Sequence, residues 1–266
     1  MWFIHTLYIS SREMPMTFPI KKLTAVILGL SLSVVSYAAE DAIKVSKDKD
    51  YNLDADLSYL LNNTTNTDGT SSNKSSIAGH VTFKRMQGDW GQELKAEAIG
   101  SSDSNSSDNV ERYLASGKMM HSEGSFYEFG KLQWEKDRSS AFDYQTSLTG
   151  GIGSELYRDD VQFLNGEIGA GVRYSVEDLP PQKDKTEAIG TLAAHYERIL
   201  TKTVSFTQDL GYDYGSSSNT FRSRSALSMM MTDKLSGLFS FDYKKIKSDL
   251  GDSDSSLTAF GLKYSY

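Results

Sequence analysis

From Tyr51 onward the chain alternates apolar and polar positions with a period of two and shows almost nothing at helical period. Tyr51, Leu53, Ala55, Leu57, Tyr59 and Leu61 alternate with Asn52, Asp54, Asp56 and Ser58. A tilted strand needs about 9–11 residues to cross a membrane, and this run has that length. The pattern recurs at Ile77, Gly79, Val81 and Phe83, and at Leu164, Gly166, Ile168, Ala170, Val172 and Tyr174. It recurs again at Ala188, Gly190, Leu192, Ala194 and Tyr196. The chain ends on Phe260, Leu262, Tyr264 and Tyr266, each separated by one small or polar residue. About twelve such segments can be drawn, within the range of bacterial outer-membrane barrels. The phase slips at Glu128 and Gln208, where a polar residue falls on the apolar face.

The polar runs between segments differ in length. Longer ones cover 62–75, 100–109, 136–142, 176–186, 215–219 and 248–255; shorter ones cover 87–91, 121–125, 155–160, 199–202 and 232–234. They alternate along the chain, which is the asymmetry of long extracellular loops and short periplasmic turns. The predicted fold is an all-β, antiparallel transmembrane β-barrel over residues 51–266, with an even strand count and both ends in the periplasm. Tyr51, Trp134, Tyr144, Tyr174, Tyr212, Tyr264 and Tyr266 lie near strand ends, as interfacial girdles require.

The N-terminus supplies the route to such a membrane. Lys21 and Lys22 precede the short apolar run 23–35, and Ser36-Tyr-Ala38 is small where signal peptidase reads. Residues 1–38 read as an upstream extension plus signal peptide, cleaved after Ala38 or, as second choice, after Ala39. Met16 is an alternative start. Residues 39–50 read as a short periplasmic segment. Loss of Arg12, Glu13, Lys21 and Lys22 with the leader takes the net charge from −7 to −9. An acidic chain lacks the basic face that nucleic acid requires. Cysteine is absent, so there is no disulfide framework and no residue to carry a lipoprotein anchor.

Catalytic chemistry is hard to find. A Ser–His hydrolase needs nucleophile and base together, but His80 and His195 fall on the predicted lumen face of distant strands, and His121 falls in a turn. The acidic runs 103–108 and 249–254 lack the ligand spacing of a calcium loop. The glycines at 150–153 and 169–171 precede no helix, so they are not phosphate loops; on strands they let a barrel bend or let opposite side chains fit. No catalytic residue, cofactor or metal site is predicted.

Several stretches carry a resemblance. Residues 129–138, Asp143-Tyr144, 148–153, the Gly-x-Gly-x-Arg-Tyr pattern within 167–175, Glu187-Ala188, 205–209, 223–228 and 232–235 resemble the YdiY-like family of salt-induced outer-membrane proteins. The similarity covers roughly residues 51–266 and is strongest from Phe129 onward. It implies an outer-membrane barrel associated with salt or envelope stress, in a family of unknown function that supplies no catalytic residues to carry over.

The lumen face holds the remaining mechanistic content. By phase, the inward acids are Asp54, Asp56, Glu93, Glu97, Glu135, Glu167, Glu197, Asp209, Asp213 and Asp242. The inward bases are Lys84, Lys95, Arg112, Lys118, Lys131, Arg173, Arg222, Arg224, Lys244 and Lys263. Such charges persist only when paired or hydrated. Two expectations follow: a cross-linked plug in a structural barrel of unknown activity, or a narrow water-filled channel for small solutes. An outer-membrane enzyme is the third reading. Arg222 and Arg224 are expected to form a charge ladder with Asp209 and Asp213 on the preceding strand, with Arg173 and Glu167 as further lumen charges. Phe260, Leu262, Tyr264 and Tyr266 are expected to form the assembly signal. The expected partners are outer-membrane lipid, lipopolysaccharide and the barrel-assembly machinery. Oligomeric state is left open.

Overall fold

A strand buries its backbone polar groups only by pairing, and in hydrocarbon every such group must be paired. Closure of the sheet removes its edges and meets that demand. The computed structural model describes residues 51–65, 71–103, 110–138, 140–178 and 180–266. The upstream extension, the signal peptide with its Ala38 cleavage site, and the segment 39–50 lie outside the described residues. So do residues 66–70 and 104–109, the latter holding most of the 103–108 acidic run.

Twelve antiparallel strands close into one barrel. They are β1 (Tyr51–Thr65), β2 (Ser71–Gln87), β3 (Trp90–Asp103), β4 (Val110–Glu123), β5 (Phe126–Asp137) and β6 (Phe142–Arg158), followed by β7 (Gln162–Glu177), β8 (Asp184–Ile199), β9 (Val204–Gly215), β10 (Ser218–Met230), β11 (Leu235–Ser248) and β12 (Ser253–Ser265). Neighbours in sequence are neighbours in the sheet, and β12 returns to β1 with Leu262 opposite Leu57 and Phe260 opposite Tyr59. Both described ends, Tyr51 and Tyr266, lie at the end that carries the turns 88–89 and 124–125. Their rings stack there with centroids 5.8 Å apart.

The strands run further than the apolar alternation. The predicted link 62–75 is mostly ladder, paired out to Thr65 opposite Ser71. The predicted link 215–219 shrinks to 216–217, and 248–255 shrinks to 249–252. Backbone pairing continues through serine and asparagine because the ladder uses main-chain groups only. Apolar side chains mark where the wall meets lipid, not where pairing stops. The contrast between the two ends therefore lies partly in protruding hairpins. The widest gaps between strands, β1 to β2, β3 to β4 and β7 to β8, open from strand ends at the end predicted to carry the loops.

The outer wall is an apolar belt. Leu57, Ile77, Leu94, Leu132, Leu148, Ile168, Leu192 and Phe260 all point out and are exposed. Trp90, Phe126, Tyr157 and Tyr266 ring the turn end, and Tyr113, Tyr174 and Tyr214 ring the other. An exposed belt of this extent belongs in lipid. Both doubtful positions keep phase. Glu128 is exposed opposite His121 near the turn end. Gln208 faces outward and is satisfied within the wall, donating to Ser223 Oγ at 3.0 Å and accepting from Ser225 Oγ at 2.5 Å.

Candidate functional site

The inward face is mostly polar, and its side chains meet across the lumen. Lys244 on β11 reaches Glu135 and Asp137 on β5, the strand diametrically opposite in the ring, and lies 2.7 Å from Asp137. All three are buried. Arg222 on β10 donates to the same Glu135 at 2.6 Å and to Asp213 on β9 at 2.6 Å. Glu135 therefore lies between two cations, and β5, β10 and β11 are tied across the lumen. Neither wall can move outward without leaving a buried charge unpaired, which is strongly unfavourable.

A second tie lies toward the loop end. Arg173 on β7 donates to Glu187 on β8 at 2.6 Å and, across β9, to the Ser218 carbonyl at 2.6 Å and its hydroxyl at 2.7 Å. Glu187 also accepts from the Ser216 hydroxyl at 3.1 Å and the Ser217 amide at 2.7 Å. Gly215 makes this fit possible: a Cβ there would stand 2.7 Å from Arg173 Nη2 and 2.8 Å from Glu187 Oε2. A separate apolar plug is formed by Ala78, Ile99, Leu257 and Ala259 on β2, β3 and β12.

Nearer the turn end, aromatic side chains fill one side of the lumen. Tyr127, Phe129 and Met120 form a buried cluster with Met86 against it. Glycines on the two following strands leave room for the rings. A Cβ on Gly153 would meet Tyr127 Cζ at 2.1 Å, and one on Gly151 would meet Phe129 Cζ at 2.9 Å as well as β7 backbone. The Tyr127 hydroxyl donates to Glu167 at 2.6 Å and lies 2.8 Å from the Asn165 side-chain amide, and Lys118 also pairs with Glu167.

The predicted ladder is only partly present. Arg222 does pair with Asp213. Arg224 stands opposite Asp209 in register, yet its guanidinium turns to Asp56 at 3.2 Å and Asp242 at 3.7 Å. Asp209 instead accepts from His195 at 2.7 Å. Charges in a lumen have neighbours on every side, so opposition in the sheet does not choose the partner. Glu167 and Arg173 both point inward but lie in separate clusters, with Lys118 and Glu187 respectively. His80 sits 2.8 Å from Asp56 and 3.6 Å from Glu97, apart from His195. Glu187 and Asp137 are lumen partners that the sequence reading left in or beside predicted links. Tyr127 and Phe129 were overlooked because aromatics break the polar-inside rule; the paired Gly-x-Gly spacings on β6 and β7 were their signal. Among the described residues no group of three or more His, Cys, Asp or Glu side chains could hold a metal ion.

Residues 56–266 match the family described as protein of unknown function, DUF481. The chain belongs to the DUF481 family. That match covers nearly the whole of this DUF481 barrel and agrees with the YdiY-like resemblance. No curated protein matches the chain. Among solved structures it is similar to the translocator domain of the autotransporter NalP from Neisseria meningitidis, at 11% identity and TM-score 0.45 over 81% of this chain and 88% of that one. It is also similar to the COG4313 outer membrane channel from Pseudomonas putida F1, at 9% identity and TM-score 0.46 over 81% and 94%. The NanC porin follows at 6% identity and TM-score 0.44 over 80% and 97%. Identities and TM-scores at this level bring no property of those proteins to the DUF481 chain.

Proposed function

We propose that this protein is an outer-membrane barrel whose lumen is closed by an ionic plug, and that it serves the envelope as an integral structural element rather than as an open channel. The observation that carries this reading is the Lys244–Glu135–Arg222 bridge from β11 and β10 to β5, which spans the lumen with Lys244 and Glu135 buried and Arg222 half-buried. A charge network tied across the centre narrows the lumen at that level, which supports the closed reading. The outer membrane is the compartment that suits a closed strand barrel with an apolar belt and a predicted export signal. In that membrane the outer wall meets lipid and lipopolysaccharide. The outward aromatics of β12, Phe260, Leu262, Tyr264 and Tyr266, are what the barrel-assembly machinery would read. The link to salt or envelope stress rests on the YdiY-like resemblance alone.

The test is electrical. The refolded mature chain in a planar bilayer is expected to show no steady conductance. Regular single-channel steps from the wild-type protein would overturn the plug and favour the narrow-channel reading. Fractionation that leaves the protein in the inner membrane or the periplasm would overturn the location.

A further inference from the structure

Below the plug, on the side of the turns, the lumen is wet. Lys95, Asp209 and His195 point into it with side chains 46%, 51% and 37% exposed. This space opens toward the end that carries Tyr51 and Tyr266.

Its β2–β5 wall has an unusual charge order. Lys84, Glu93, Lys118 and Lys131 form one register row across four successive strands, each opposite the next. Lys95 stands one inward position above Glu93. The row holds four lysines with Lys95 included, against one glutamate, and Lys118 directly faces Lys131. Like charges directly opposite destabilise a sheet.

The neighbouring acids relieve this only in part: Asp54 and Asp209 act on Lys84, and Asp209 on Lys95, from beyond ion-pair distance. Glu93 is held by Lys95 at 3.1 Å, and Glu167 is held by Lys118. Asp213, the acid that acts most on Lys131, is bound to Arg222 at 2.6 Å. Of the inward cations named from the sequence, Lys84 and Lys131 alone have no carboxylate within ion-pair distance among the described residues, whereas Arg112, Arg173, Arg222, Arg224, Lys244 and Lys263 each have one.

From this arrangement we infer a binding site for a small oxyanion, phosphate- or carboxylate-bearing, held by Lys84, Lys95 and Lys131 in the terminus-side vestibule. An anion seated there supplies the negative charge the row lacks, and ammonium groups bind phosphate and carboxylate as point charges. Asp209, on the wall across the lumen, repels an anion and so favours the lysine side. The site lies below the plug and does not require the barrel to conduct.

The test uses the refolded mature chain in detergent micelles, titrated separately with inorganic phosphate and with citrate over a chloride background. Calorimetry is expected to show one saturable site for at least one of the two. Saturation by phosphate alone assigns a phosphate-bearing ligand, by citrate alone a polycarboxylate; either upholds the site. The double variant Lys84→Gln with Lys131→Gln should bind about tenfold or more weakly, the loss expected when charge-assisted contacts are removed. Lys185→Gln, at the exposed loop end of β8, should bind as wild type. Thermal unfolding gives a second readout. Lys131→Gln should fold and melt no lower than wild type without anion, because it removes a like-charge contact, but its melting temperature should not rise with anion as the wild type's does. Absence of saturable binding to both anions by the wild type, or wild-type affinity in the double variant, would overturn the proposal. Conductance is not read in these measurements, so their failure leaves the plug untouched, and the reverse also holds.

Discussion

Gly153 shows how one residue shapes this lumen. It faces inward on β6 and yields its Cβ space to the Tyr127 ring, whose hydroxyl is held by Asn165 and Glu167. Gly153→Val forces the ring off its partners, and overpacking of this kind costs about 1–3 kcal/mol. Gly130, outward on β5, has open space around its missing Cβ. We predict that Gly153→Val shifts the urea midpoint in liposomes downward and that Gly130→Ala leaves it nearly unchanged; equal shifts would show that the ring does not need the glycine. Facing is decided at the same scale. Leu192 points to lipid, and its neighbour Ala193 points into the wet vestibule. An arginine on the lipid face near the bilayer middle costs about 2–4 kcal/mol. Leu192→Arg should therefore lower the folding yield more than Ala193→Arg, and equal yields would show that the phase of β8 is wrong.

At the scale of elements, the turns show what polar residues do once the apolar pattern ends. The turn 159–161 between β6 and β7 is organised by Asp159. Its carboxylate accepts from the Val161 and Gln162 amides at 2.8 Å each and from the Tyr157 hydroxyl at 2.8 Å. These hydrogen bonds, the Val161 amide first, hold the Asp159 carboxyl at about 2, below its ordinary 3.8. The folded value is depressed, so this contribution is complete above pH 3.8 and is lost as pH falls through about 2. Asp159→Asn should remove the acid-sensitive part of the turn's protection between those values, read as amide exchange at Val161 and Gln162. Identical pH profiles for variant and wild type would refute the role. The connection 249–252, between β11 and β12, is expected on the outside of the cell. An epitope tag inserted at Gly251, whose φ of 132° marks a turn glycine, should be labelled on intact cells. Labelling that appears only after the outer membrane is permeabilised would invert the barrel.

For the molecule as a whole, the ring of strands and the network inside it depend on each other. Arg222 joins β10 to β5 and β9, and Arg224 joins it to β1 and β11. Arg222→Ser with Arg224→Ser leaves Glu135, Asp213, Asp56 and Asp242 short of positive charge in the centre of the lumen. Water and cations should enter, and conductance should rise from none to a cation-selective level. Unchanged conductance and selectivity in the double variant would move the closure to the apolar plug around Ile99 and Leu257 or to the Arg173–Glu187 tie.

Much of this architecture was legible from period two alone. Alternation places every second side chain on one face, and lipid accepts only one kind of face, so the wall, the phase and the twelve strands can be read along the chain. Even Glu128 and Gln208 keep the phase, since one lies near the turn end and the other is satisfied by two serines on the next strand. The strand ends were less legible, because the ladder at 62–65 and 71–75 is held by main-chain pairing that side-chain pattern does not report. Pairing inside the lumen was the least legible. Most of the inward list could be drawn from the sequence, though not Asp137 and Glu187, and Arg224 chooses Asp56 and Asp242 over the Asp209 opposite it while Lys244 reaches the far wall. Sheet register is a relation between neighbouring strands, whereas the plug is a relation between strands that meet only because the barrel closes. The sequence determined the facing of most charges; closure of the ring decided which of them meet.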